Sequence, residues 1–356
     1  MQPLTAPPQA PPERPAAPRG RWIWRVSGVA TVGILAAASA GIVSHQNGSA
    51  QYAEPMRVMT KSLTVPQPVT GLRVLTSGMP VQVSTGPGTH VQVTELIQYD
   101  PKGGDLPFFP KGSVLGYDPK AGVIQKDPNG DGLAAMAAVT GKLLTLDGTA
   151  CDSYACAVSF AVTVPRGTSI TLSTTGGDVI VSGTADTTVD SGGGTVYAAG
   201  LRGPLRVSTG GGSLMVNGLD GPLSADTSGG SVDANALATP TATVITGGGD
   251  AWLGFAVAPG AVMTSTDGGG ALIAVPAGPY ALTADSGGGP QAITVATDPA
   301  ARRAISVASS GGSLQVEPPS VGSRPPIPPL PSLSAALAFG PVVPPDMPAP
   351  PLPPGS

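Results

Sequence analysis

A cadence of glycine clusters constrains this chain more than any other feature. Counted at the last glycine of each, the clusters fall at positions 177, 194, 212, 230, 249, 270, 289 and 312, spaced 17, 18, 18, 19, 21, 19 and 23 residues apart. The text between them repeats: GLRGPLRVSTGGGSLMVNG begins at Gly200 and GLDGPLSADTSGGSVDANA at Gly218. Each unit reads as a short strand ending in Ser, Thr or Asp, a Gly-Gly or Gly-Gly-Gly turn, and a second strand such as Ser213-Leu214-Met215-Val216, giving two or three strands per unit. One unit is too small to bury its own apolar face. Stacking units as rungs about 4.8 Å apart buries a continuous core and pairs each backbone with the rungs above and below. The predicted fold class is all-β, a parallel β-solenoid (β-helix-like) of short strands with Gly-rich turns.

Strand periodicity then assigns faces. Val, Leu, Ile and Ala are expected to point inward, and Ser, Thr and Asp outward. A coil about 18 residues around must turn tightly, so the expected corners are Gly176 and Gly177, Gly193 and Gly194, Gly211 and Gly212, Gly229 and Gly230, Gly248 and Gly249, Gly269 and Gly270, Gly288 and Gly289, and Gly311 and Gly312. On that reading, Ala or Val at Gly211 or Gly229 costs more than an ordinary surface substitution. Pro204 and Pro222 recur in GPL, where a missing N–H marks a strand start or corner.

The rest of the chain divides by composition. Residues 1–25 are Pro-rich and basic, with Arg14, Arg19, Arg21 and Arg25 against Glu13. Residues 26–43, VSGVATVGILAAASAGIV, carry no charge and have about the minimum length for a transmembrane helix. Trp22 and Trp24 sit where an interfacial belt would, and arginine on the N-terminal flank predicts that end inside the cell and the remainder outside. A cleaved signal sequence ending near Ala40, in Ala38-Ser39-Ala40, is the alternative; an anchor and a signal sequence alike export the chain beyond them. Residues 51–165 read as an N-terminal β region of the solenoid, with a loop-rich insertion near 99–132 and a short helix around Met136. Residues 166–317 hold the Gly-rich repeats. Residues 318–356 are again Pro-rich and expected disordered, with Ser332 to Phe339 offering a helical turn or two that caps the last rung.

Charge narrows the partners. Only 11% of residues are charged, the formal net charge is -4, and no lysine lies between Arg166 and Glu317, so no basic field exists to hold a nucleic acid. Cys151 and Cys156 in CDSYAC suit a disulfide in an oxidising compartment; the alternative is a metal pair, for which His45 and His90 are the only histidines. Asp127, Asn129 and Asp131 match the opening of a calcium loop, but Ala138 stands where a bidentate Glu is required, so an Asx or Gly turn is the preferred reading and calcium the alternative. Asp190, Asp226, Asp267 and Asp285 precede glycine clusters and, if aligned, would form a carboxylate row for cations or sugar hydroxyls; local turn bonding is preferred. Trp252, Phe255 and Tyr280 read as core, with glycan stacking the alternative. His90 reads as a surface or edge residue. The chain carries no G-x-S-x-G, H-E-x-x-H or G-x-G-x-x-G, and no catalytic or cofactor-binding residue is assigned.

The apolar span, the VTVPRG approach at Val162 to Gly167, and text such as STTGGDVIVSG and DTSGGSVDA together resemble the "putative adhesin" β-strand-repeat family of bacterial, actinobacterial-like, membrane and envelope proteins, over about residues 60 to 317. The resemblance implies a triangular or flattened solenoid at the cell surface or envelope. The function expected is a non-catalytic, membrane-anchored, extracytoplasmic surface, held by residues 26–43, that meets a cell-wall polymer, glycan or envelope protein. An envelope-stress sensor and, below it, a carbohydrate-active β-helix enzyme are the alternatives.

Overall fold

The structure, a computed structural model, describes residues 57–99, 116–118, 123–125, 136–149 and 156–319. The apolar run 26–43, Ala40, Cys151, the motif Asp127, Asn129 and Asp131, and the segment Ser332 to Phe339 lie outside them. Among the described residues no helix is long and apolar enough to cross a membrane.

The chain enters through β1 (Arg57–Val65), then runs through β2 (Gly71–Thr76) and β3 (Val81–Gly86) and returns in β4 (Val91–Tyr99). β5 (Gly116–Asp118), β6 (Val123–Gln125) and β7 (Met136–Thr140) lead to β8 (Leu143–Asp147) and β9 (Cys156–Pro165). From there two strands make each lap: β10 (Ser169–Thr174) with β11 (Val179–Ser182), β12 (Thr187–Ser191) with β13 (Val196–Leu201), β14 (Leu205–Thr209) with β15 (Leu214–Leu219), and β16 (Leu223–Thr227) with β17 (Val232–Leu237). The series continues as β18 (Thr241–Thr246) with β19 (Ala251–Phe255), β20 (Ala261–Thr266) with β21 (Ala271–Ala274), β22 (Ala281–Asp285) with β23 (Gln291–Ile293), and β24 (Ala304–Ser309) with β25 (Leu314–Glu317). The expected two or three strands per unit resolve to two. Met136 opens a strand rather than a helix, because Ala137 and Val139 alternate inward against Leu146 and Leu144 of β8.

Among the described residues, all strands belong to two sheets. Sheet A has the order β1-β4-β9-β3-β11-β13-β15-β17-β19-β21-β25-β23, and sheet B has β22-β24-β20-β18-β16-β14-β12-β10-β2-β8-β7-β6-β5. Pairing is parallel throughout the repeats, for instance Leu205↔Leu223 and Leu214↔Val232. Antiparallel pairing is confined to the N-terminal end, where β4 lies between β1 and β9 and where β5, β6 and β7 continue sheet B beyond β8. The insertion near 99–132 therefore contributes strands of its own.

The stacking order is not the chain order at either end. β8 and β9 lie outside β2 and β3, so the repeats stack on the earlier lap. At the far end β22 and β23 take the outermost place, and the long connection from Ile293 to Ala304 carries the chain back so that β24 and β25 fill the gap beside β20 and β21. That outer edge is blunted: β23 is three exposed residues preceded by Pro290.

Between the sheets runs one apolar core, including Leu72, Val83, Phe160, Leu205, Leu214, Val216, Leu219, Leu253, Ile273 and Val316. Each such side chain withdrawn from water contributes about 1.5–3 kcal/mol, which each lap obtains only from the laps beside it. The outward assignment of Ser and Thr fails at the ends of the sheet B strands, and also at Thr187 in β12 and Thr264 in β20. Thr174, Ser191, Thr209, Thr227, Thr246, Thr266 and Ser309 close the sheet B strands, stand in register, and are buried. They occupy inward positions because the glycine turn leaves backbone groups facing the interior that a small hydroxyl can satisfy. Ser191, Thr209, Thr227, Thr246 and Thr266 donate to a carbonyl of their own turn. Thr174 Oγ1 instead accepts from Gly177 N at 3.2 Å, and Ser309 Oγ accepts from Gly312 N at 2.8 Å and donates to Gly269 O at 2.9 Å. Thr209 Oγ1 donates to Gly212 O at 2.6 Å, Thr266 Oγ1 to Gly269 O at 2.6 Å, and Ser286 Oγ to Gly289 O at 2.6 Å.

Candidate functional site

The turns between sheet B and sheet A bring adjoining laps into close backbone approach. A Cβ on Gly177, Gly194, Gly212, Gly230, Gly249, Gly269, Gly289 or Gly312 would come closer than 3.0 Å to backbone atoms of the adjoining lap. What these positions need is the absence of a side chain, more than a left-handed backbone. Gly193, Gly211 and Gly229 face open space, and none has a positive φ in the left-handed range. The expectation of a high cost at Gly211 and Gly229 is thereby corrected. Gly176 and Gly248 meet only ordinary contacts, and Gly288 and Gly311, at φ of 101° and 125°, are the members of the predicted set that require glycine for their backbone. The last-glycine alignment slips by one at Gly270: Gly269 stacks on Gly249, and Gly270 takes the place of Asp250.

The residue after the corner glycine starts a ladder along the edge of sheet A. Asp178 Oδ1 accepts from Thr195 N at 2.8 Å, Ser213 Oγ from Ser231 N at 3.3 Å, Ser231 Oγ from Asp250 N at 3.2 Å, and Asp250 Oδ1 from Gly270 N at 2.8 Å. Side chains here clip one lap to the next. The sequence signal for this ladder is the polar residue that follows six of the eight clusters, Asp178, Thr195, Ser213, Ser231, Asp250 and Ser313.

Two positions further along each strand lies an outward column, in register from Tyr197 through Met215, Asp233 and Trp252 to Leu272; Ile180 continues the register beside Tyr197 but is buried. Burial is the chief cause raising the Tyr197 phenol above its ordinary pKa, the Asp178 carboxylate adds to it, and a hydrogen bond with Thr195 opposes both. Trp252 departs from its expected core role: 37% of it is exposed, because the inward positions of β19 belong to Ala251 and Leu253. It walls a groove of about 250 Å³ shared with Ser213, Met215, Ser231, Asp233 and Asp250. Phe255 and Tyr280 are buried as expected, and the Tyr280 hydroxyl donates to Pro276 O at 2.7 Å.

The four aspartates expected to align do so only in part. Asp190 and Asp226 share an outward column of sheet B with Ser208 between them, two strand spacings or roughly 10 Å apart. Asp285 stands in the same column at its far end beside Ala308, and Asp267 follows the last residue of β20 and so falls outside the column. Asp285 Oδ1 accepts from Gly287 N at 3.0 Å, the local turn bonding of the preferred reading. His90 is exposed, its Nδ1 3.1 Å from Thr89 Oγ1. Among the described residues no group of three or more His, Cys, Asp or Glu is placed to hold a metal.

No family model and no curated protein matches the chain. Among solved structures it is similar to a "putative adhesin" from Bacteroides fragilis, at 16% identity over 73% of this chain and 97% of that one, with a TM-score of 0.40. A "putative adhesin" from Parabacteroides merdae matches at 11% identity over 73% and 96%, with a TM-score of 0.37. A "putative cell adhesion protein" from Clostridium sporogenes matches at 8% identity over 74% and 100%, with a TM-score of 0.26.

Proposed function

We propose that the two sheets wind as a flattened parallel β-solenoid and serve as a non-catalytic, adhesin-like surface, held at the cell envelope by residues 26–43 with residues 51 onward outside the membrane. The observation that carries this reading is the in-register outward column of sheet A. Parallel stacking repeats the same outward position every strand spacing, which produces a long ordered face from a short unit. A face of that kind suits multivalent contact with an extended partner more than enclosure of a small substrate. Placement at the envelope rests on the uncharged run behind four arginines. Bacterial cells expressing the full chain with a C-terminal tag test it. The tag is expected in the membrane fraction and to be removed by protease added to intact spheroplasts; a tag that stays soluble or protected overturns the placement.

A further inference from the structure

We propose that the apolar end of the stack at β22 and β23 is closed by a segment of this chain's own tail, Ser332 to Phe339, which lies outside the described residues. Register defines that end. Leu282 and Ala284 of β22 pair with Ile305 and Val307, and Ile293 of β23 pairs with Val316, so all three hold inward positions that the laps behind them bury. Among the described residues no further lap lies over them. Ile293 is 39% exposed, against 0% for Val316 and Ile273 at the same position of the inner laps, and Leu282, Ala284 and Val295 are partly buried against the core. The last unit of a stack leaves the cross-section of the core in water unless something covers it.

Backbone geometry selects the occupant. Strand addition by a second copy is obstructed on both sheets: β23 is three residues behind Pro290, and Thr297 already takes the outer partner of Tyr280, with Tyr280 N donating to Ala296 O at 3.1 Å and Asp298 N to Tyr280 O at 2.9 Å. What remains is an apolar opening between two sheets, which takes side chains laid across it. The tail starts beside it. Thr294 N donates to Val316 O at 2.9 Å, so the chain leaves β25 one strand spacing, about 4.8 Å, from the outermost lap. Thirteen residues separate Pro319 from Ser332 and reach up to about 40 Å when extended, more than the roughly 20 Å length of a strand. Pro325 to Pro345 holds no charge, and within it Leu333, Ala336 and Leu337 take the i, i+3, i+4 spacing of one helical face, with Ser332 as a start signal and Gly340-Pro341 as a stop. Eight helical residues span about 12 Å, close to the roughly 10 Å between packed sheets.

Two measurements on the full chain in detergent test the cap. With Phe339→benzoylphenylalanine, irradiation is expected to give an intrachain cross-link to the stretch from Ala281 to Val295, read by mass spectrometry. In Leu333→Asp/Leu337→Asp, hydrogen exchange is expected to quicken roughly tenfold or more at the amides of β22 and β23, with those of β14 to β17 unchanged. Leu333→Ala/Leu337→Ala adds no charge and is expected to show the same change in weaker form. Leu352→Asp, further along the tail, is expected to alter nothing. The proposal is overturned if the cross-link joins two chains, forms elsewhere or does not form. It is equally overturned if the end-lap amides keep the parent rate in both double variants, if all laps quicken alike, or if Leu352→Asp matches the double variants. Capping is independent of envelope placement, so this experiment and the spheroplast experiment fail separately.

Discussion

Replacing Gly212 and Gly211 in turn by alanine separates two reasons for a glycine at neighbouring positions. A Cβ at Gly212 would meet the carbonyl carbon and oxygen of Gly194 and the oxygen of Gly193, all backbone, so no side chain can swing aside to admit it. Relief requires the two laps to part at the corner, where Val196 N donates to Ser213 O at 2.9 Å and Thr209 Oγ1 to Gly212 O at 2.6 Å. Overpacking of this kind costs about 1–3 kcal/mol and one weakened hydrogen bond about 0.5–1.5, so Gly212→Ala is expected to lose roughly 2–4 kcal/mol. Gly211→Ala meets open space and reduces the freedom of the unfolded chain, so its expected effect lies between nothing and a gain of about 1 kcal/mol. In urea unfolding followed by far-ultraviolet circular dichroism, with a slope of about 3 kcal/mol per molar, the Gly212 variant should fall by roughly 1 M in midpoint while the Gly211 variant stays within about 0.3 M. Equal midpoints, or a larger loss at Gly211, would refute the close-approach account.

Three further outcomes rest on named contacts. Thr227→Val keeps the shape of the buried side chain but removes the donor to Gly230 O, and is expected to lose about 1–3 kcal/mol of stability while Thr227→Ser retains most of it, measured by thermal melting. Ala236 holds φ of 52° where neighbouring laps place Gly200 and Gly218, so Ala236→Gly is expected to be neutral or to raise stability by up to about 1 kcal/mol, and a clear loss in the same melt counts against strain there. Burial is the chief cause raising the Tyr280 phenol, with Arg303 opposing, so the folded chain keeps this proton at a pH where the unfolded chain has lost it. The associated stability is present below about pH 10 and lost as pH rises beyond it, and melting temperatures of Tyr280→Phe should fall less steeply above pH 10 than those of the parent.

Periodicity carried the architecture into view and stopped at neighbour choice. The spacing of the glycine clusters states how long a lap is, and the alternation in Leu205-Arg206-Val207-Ser208-Thr209 states which side is buried. Neither says which lap sits beside which, because every lap offers its neighbours the same backbone edge. The outward placement of β8 with β9 and of β22 with β23 was therefore illegible, although the long spacing before Gly312 coincides with the return to the inner place. Buried Ser and Thr were misread because polarity was weighed without the turn's own carbonyl, which creates the demand for a donor inside. Trp252 follows a related rule: bulk suggests core, but Ala251, Leu253 and Phe255 already occupy the inward positions of that strand, which leaves Trp252 on the outer face.

Spin labels placed along one outward column of sheet B test the stacking most directly. Ser173, Asp190, Ser208, Asp226, Ile245 and Ser265 stand in register on successive strands. Pulsed electron resonance should give backbone separations of roughly 19 Å for Ser173 with Ile245 and roughly 24 Å for Ser173 with Ser265, one strand spacing more per added lap. Separations that do not grow by about 4.8 Å per lap would contradict the parallel two-sheet stack on which the proposed surface depends.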